Sequence, residues 1–145
     1  MKQKIILIVD DEPDVISYLS AILDEDDYGI HTADNAEDGL KRARELQPDL
    51  ICLDIMMPQE SGLSLYTKLR QDKRLTTTPV IIISGIESQQ EFDFRRYVTD
   101  KNIPPPDRYI EKPIDVYEFV SVVDALTTSE GNESAGKRRQ QGEIQ

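Results

Sequence analysis

Asp49-Leu50-Ile51-Cys52-Leu53-Asp54-Ile55-Met56-Met57-Pro58 is the stretch that decides the fold, with Gly62 shortly after it. A run of apolar residues with no polar alternation reads as a short strand covered on both faces, and this one stops at a carboxylate. Three further runs end on polar residues in the same way. Ile5-Ile6-Leu7-Ile8-Val9 ends at Asp10-Asp11, Val80-Ile81-Ile82-Ile83 at Ser84, and Arg108-Tyr109-Ile110-Glu111 at Lys112. Strands are expected over 4–9, 49–53 and 79–83, with weaker, edge-like ones from Ile30 to Ala33 and from Tyr109 to Glu111.

The stretches between these runs carry a helical period. Val15, Leu19, Ile22 and Leu23 form one apolar stripe, and Ala36, Leu40, Ala43 and Leu46 a second. Leu63, Tyr66 and Leu69 form a third, and Phe119, Val122, Val123 and Leu126 a fourth. Asn35 is placed to cap the second helix, with Asp38 three residues on as in a loose capping box, and Asp115 to cap the last. Strict alternation of strand and helix predicts an α/β fold with right-handed crossovers and a parallel sheet. The pattern is least regular between Ser84 and Lys112. A short helix is expected over Glu91–Val98, with Phe94, Tyr97 and Val98 on its apolar side. Pro104-Pro105-Pro106 then reads as a stiff, extended spacer.

Length and charge narrow the classes. At 145 residues the chain suits one domain with a real core. After Thr127 the composition turns to Ser, Gly, Glu, Gln and Lys, so a folded domain over 1–127 and a disordered tail over 128–145 are expected. The net charge is −11, and the tail's Lys137, Arg138 and Arg139 cancel its Glu130, Glu133 and Glu143. The excess acid therefore sits on the folded part and argues against direct nucleic-acid or anionic-membrane binding. Cys52 is the single cysteine and lies inside an apolar run, which fits a core thiol in a reducing compartment. The apolar stretch before Asp10 is too short for a signal-peptide core or a membrane span, so the cytoplasm is the expected location.

In open parallel sheets, ligands bind outside the carboxyl ends of the strands where strand order reverses. Asp10, Asp11 and Asp54 would gather there, a set of hard oxygen donors suited to Mg²⁺. Without a Cys/His cluster, zinc is disfavoured. Three carboxylates repel one another unless a cation joins them. With the cation in place, Asp54 could attack phosphorus as a carboxylate nucleophile. Each piece has an ordinary reading on its own. Asp10-Asp11-Glu12-Pro13-Asp14 could be an acidic helix start, Asp54 a turn residue, Ser84-Gly85 a loop and Lys112 a surface lysine before Pro113. It is their joint occurrence, in order and each at a strand end, that carries the argument.

Over residues 3–127 the chain resembles the receiver domain of two-component response regulators. Asp10 and Asp11 match that family's acidic pair, and Asp54 its phosphoacceptor, with Pro58 and Gly62 downstream. Ser84 matches its Ser or Thr, Lys112-Pro113 its Lys-Pro, and Tyr109 the aromatic that rotates with phosphorylation state. The resemblance implies a flavodoxin-like doubly wound sheet of five strands in the order 2-1-3-4-5, with helices on both faces. It further implies that Mg²⁺ is held directly by Asp11, Asp54 and the backbone carbonyl of Met56, with Asp10 acting through water. Lys112 would pair with the phosphoryl group, Ser84 would hydrogen-bond it, and the Lys112–Pro113 bond would often be cis.

The expected function is a stand-alone, phosphorylation-controlled signalling module and not an enzyme. A sensor histidine kinase or phosphotransfer protein would supply the phosphoryl group, and a downstream protein partner would read the switch. A homodimer stays open, because the Ser84–Lys112 segment is longer than the family's usual one. Two alternatives are the receiver portion of a longer regulator and an aspartate-dependent phosphohydrolase. The latter commonly places a second acid two residues after its nucleophile, where this chain has Met56. Met56 and Ile86 flank the site and neither can position water, so a long-lived acyl phosphate is expected. His31 ends a weak strand and reads as an edge residue, not as a phosphodonor.

Overall fold

The structure, a computed structural model, describes residues 3–57, 60–85 and 94–136, with side chains through Thr128. Five strands alternate with helices: β1 (Ile5–Val9), β2 (Gly29–Ala33), β3 (Leu50–Asp54), β4 (Val80–Ser84) and β5 (Arg108–Glu111). All neighbours pair in parallel in the order β2-β1-β3-β4-β5, the doubly wound arrangement expected. The helices are α1 (Pro13–Asp24), α2 (Ala36–Leu46), α3 (Gly62–Gln71), α4 (Phe94–Tyr97) and α5 (Val116–Gly136).

The two-residue period of a strand sorts the core into two layers. Ile6, Ile8, Cys52, Ile81 and Ile83 face α1 and α5, meeting Leu19, Leu23, Phe119 and Val123. Leu7, Val9, Ile51, Leu53 and Ile82 face the other side, packing with Ala36 and Ala43 of α2 and Leu65, Tyr66 and Leu69 of α3. Helix starts follow local chemistry. Asn35 caps α2, its side chain accepting from Asp38 N–H at 2.8 Å. Asp38 replies to the Asn35 side-chain amide at 3.0 Å and not to its backbone, so the box is closed between side chains. Asp115 accepts from Glu118 N–H at 3.1 Å as expected, and Ser61 caps α3.

At the amino-terminal edge of the sheet two strand starts are tied by carboxylates. Asp49 accepts from Ile5 N–H at 2.8 Å, and Asp107 from Val80 N–H at 2.8 Å. In each case the acid just before one strand satisfies the first donor of its neighbour. Arg70, buried at the end of α3, donates to the Tyr66 hydroxyl and to the carbonyls of Leu75 and Thr78. It also pairs with Asp107 at 3.4 Å. Tyr66 in turn donates to the Pro104 carbonyl at 2.6 Å and takes the edge of Phe94 on its ring.

Three expectations bear on these elements. The stiff, extended spacer expected at the proline triplet is anchored at both ends: Ile103 and Pro106 are buried, and Pro104 is held by Tyr66. Phe94 on α4 and Val98 just after it are buried while Tyr97 lies exposed, as its amphipathic ring permits. The earlier part of that expected helix, with Ile86 and Pro58, lies outside the described residues. Finally, helical backbone continues to Gly136, and the rest of the expected tail, 137–145, lies outside the described residues. Once Phe119, Val122 and Val123 dock the helix, each added residue gains a backbone bond without a new nucleation cost, and Gly at the end suits a stop. No helix of the described residues is long and apolar enough to cross a membrane.

Candidate functional site

Strand register builds the site. Val9 lies beside Leu53, and Asp54 beside Ile83, so Asp10 and Asp54 leave adjacent strands at one level and Ser84 follows one residue further on the next strand. Ser84 pairs with Glu111, and Lys112 N–H donates to the Ser84 carbonyl at 2.8 Å, bringing the lysine to the same edge. The Lys112–Pro113 bond is cis. Gly62 closes the loop after Asp54: its N–H donates to Ile55 at 2.9 Å, and a Cβ there would stand 2.2 Å from the Asp54 carbonyl oxygen. Only glycine lets the start of α3 come this close to the strand.

Asp10 and Asp54 are both buried, 1% and 3% exposed. Lys112 Nζ lies 3.8 Å from Asp10 Oδ2, 3.8 Å from Asp54 Oδ1 and 3.2 Å from Glu12 Oε1. Burial, then the nearby Asp10 charge, pushes the Asp54 carboxyl up to about 6, against the pull of Lys112 and the Met56 N–H. Burial likewise raises Asp10. Lys112 sits above its ordinary value: burial lowers it, and the Asp54 and Asp10 charges outweigh that. The Asp10 Oδ2 atom is buried without a hydrogen-bond partner among the described residues. A buried acceptor of this kind is costly unless something else occupies it. The donors are all hard oxygens, so the residues fit Mg²⁺.

The carboxylates within reach of one ion are Asp10, Glu12 and Asp54, whose ligand atoms lie within 4.8 Å of one another. Asp11 is not in that group, although its charge raises both Asp10 and Asp54. Glu12 is the residue that sequence reasoning missed. Next to two aspartates and before Pro13 it reads as one more acid at a helix start, and only its length signals that it can reach the strand ends. Met56 is exposed and donates its N–H to Asp54 Oδ1 at 3.2 Å. Ser84 is buried, and Tyr109 stands half-exposed on the edge strand. His31 pairs within β2 beside Leu7, away from the cluster.

Comparison with known proteins identifies the family and the fold. A family model described as the response regulator receiver domain matches residues 6–124. Protein PilH of Pseudomonas aeruginosa is 33% identical over 121 residues, covering 83% of this chain and 95% of that protein. The DNA-binding dual master transcriptional regulator RpaA of Synechocystis is 34% identical over 125 residues, covering 83% of this chain and 48% of that one. The chain thus spans about half the length of RpaA and nearly all of PilH. Among solved structures, the response regulator TrrA of Thermotoga maritima, in complex with Mg(2+)-BeF, is 33% identical with a TM-score of 0.70. That match covers 86% of this chain and 99% of the other. A Vibrio parahaemolyticus receiver domain from a LuxO repressor protein matches in fold, with a TM-score of 0.79 at 20% identity over 95% of this chain and all of its own.

Proposed function

This chain belongs to the response regulator receiver family, and from that premise we propose that it is a switch that accepts a phosphoryl group on Asp54 and changes its affinity for a protein partner. The observation that carries the reading is the meeting of two buried carboxylates, one of them with an oxygen that accepts no hydrogen bond from the described residues, and an ammonium 3.8 Å from each. The donor is a sensor histidine kinase or a phosphotransfer protein, and the setting is the cytoplasm, where the buried thiol of Cys52 stays reduced.

Asp10, Asp11, Asp54 and the Met56 carbonyl would hold Mg²⁺, which when bound offsets their mutual repulsion and screens the incoming phosphoryl oxygens. An Asp54 oxygen attacks phosphorus. The O–P bond forms as the bond to the donor's imidazole nitrogen breaks, and the nitrogen keeps that electron pair. Lys112, a compact charge on a flexible stem, follows a phosphoryl oxygen. The Ser84 hydroxyl donates to another, drawing the end of β4 inward, and Tyr109 answers from β5. Met56 offers no group to orient water, so the acyl phosphate persists. Loss of the phosphoryl group within seconds under native conditions would contradict that lifetime.

The near-complete overlap with PilH supports a receiver that works without an appended output domain. The half-length overlap with RpaA favours a second reading, the receiver part of a longer regulator. Both share the same switch, with a domain over 1–127. A small-ester phosphohydrolase is disfavoured by Met56, which stands where such enzymes commonly place a second acid. Incubation with acetyl phosphate and Mg²⁺ tests that shared switch, and separates it from the hydrolase, by intact mass. The wild type should gain one phosphoryl group and Asp54→Asn none. Equal labelling of both would sink the assignment to Asp54, and fast turnover of a simple phosphate ester would favour the hydrolase.

A further inference from the structure

We propose that Glu12 is a positioning residue that holds Lys112 in the resting protein and must release it when a phosphoryl group arrives on Asp54. This rests on the phosphoacceptor reading above. The shortest contact of the Lys112 ammonium is not to the buried Asp54 or Asp10, each 3.8 Å away, but to Glu12 at 3.2 Å. The buried pair offers the stronger attraction but also the larger desolvation cost, and the ammonium makes its hydrogen bond to Glu12. Something about Glu12 draws it outward.

The backbone supplies the cause. Glu12 N–H donates to Asp10 Oδ1 at 2.9 Å, which fixes residue 12 directly over the first strand's end. Pro13 opens α1 immediately after, and Glu12 occupies the N-cap position in extended conformation. Side chains at an N-cap usually accept from the first helical N–H groups, yet the Glu12 side chain makes no such bond. Its carboxylate is left for Lys112. The reach of one extra methylene over an aspartate brings Glu12 within 4.8 Å of the ligand atoms of Asp10 and Asp54.

Exposure makes the hold reversible. The Glu12 side chain is 60% exposed, so its carboxylate is rehydrated readily once the lysine leaves. A phosphoryl group on Asp54 presents about two negative charges inside the buried edge and outcompetes a hydrated carboxylate for the same ammonium. Glu12 therefore sets how much of the incoming group's attraction is used to free Lys112. It acts through the lysine and does not touch the reacting atoms.

Beryllofluoride with saturating Mg²⁺ serves as the probe, with its apparent affinity read by titration for wild type, Glu12→Gln and Glu12→Asp. Glu12→Gln removes the charge; Glu12→Asp keeps the charge but shortens the reach. The proposal predicts that both variants bind the mimic about threefold tighter, since both lose the contact, and a partly exposed ion pair is worth about that factor. Tightening in Glu12→Gln alone would mean that Glu12 acts only as a background charge and would overturn the proposal. Unchanged or weaker binding in either variant would overturn it too. Absence of binding to the wild type would strike first at the phosphoacceptor reading, and the two failures are thereby told apart.

Discussion

The two edges of one sheet treat buried charge in opposite ways. At the amino-terminal edge Arg70 is buried but fully employed, and Asp49 and Asp107 each satisfy the first N–H of a neighbouring strand. At the carboxyl edge Asp10 and Asp54 are buried beside each other, their carboxyls pushed up, and Asp10 Oδ2 accepts no hydrogen bond from the described residues. The first edge uses its polar groups to hold the fold. On the proposed function, the second keeps them in reserve, at a cost in stability, for a cation and a phosphoryl group. A receiver needs both, because a responsive site must be anchored on elements that do not move with it.

Substitutions of similar chemistry should therefore have opposite signs at the two edges. The largest effect is expected for Arg70→Met, a loss of about 3 kcal/mol in urea unfolding, because the Leu75 and Thr78 carbonyls and the Tyr66 hydroxyl lose their donor together. A loss under about 1 kcal/mol would remove the contrast. Asp54→Asn should instead stabilise the protein at pH 7 by about 2 kcal/mol. The sign follows from the carboxyl lying at about 6 when folded, above its ordinary 3.8. Between these pH values the folded protein holds a proton that the unfolded chain has released, so wild-type stability falls as pH rises through the window. Asp54→Asn should make that slope shallower, and an unchanged slope would assign it to other groups.

Two smaller changes sharpen the picture at the tied edge. Asp49→Ala removes the acceptor of Ile5 N–H and should cost about 1.5 kcal/mol, opposite in sign to Asp54→Asn. Tyr66→Phe should cost about 1 kcal/mol and speed amide exchange around Ile103, whose neighbour Pro104 loses its hydrogen bond. No change in exchange there would mean that burial of Ile103 and Pro106 alone holds the segment.

What the sequence revealed follows from what each residue type can hide. Strand ends were legible because Asp54, Ser84 and Lys112 interrupt apolar runs, and period and order then required them to meet. Asn35 and Asp115 were legible because capping is local. Arg70 was not: an arginine in the last turn of a helix reads as a solvated cation until Leu75, Thr78 and Asp107 are folded around it. Glu12 was hidden by its neighbours, since three acids before a proline look like one helix start. The proline triplet read as a spacer because its anchor, the Tyr66 hydroxyl, lies far away in sequence. The helical stretch beyond Thr127 defied its composition because propagation from a docked helix does not need apolar residues.

The reserve at the carboxyl edge is tested most directly by thermal unfolding at pH 7 of wild type and Asp54→Asn, each with and without Mg²⁺. Without the ion, Asp54→Asn should melt several degrees higher, as about 2 kcal/mol implies for a domain of this size. With saturating Mg²⁺ the wild type should rise and the gap should close, since binding to the folded state alone stabilises it. Equal responses of the two proteins to Mg²⁺, or a wild type that melts higher without it, would contradict the account.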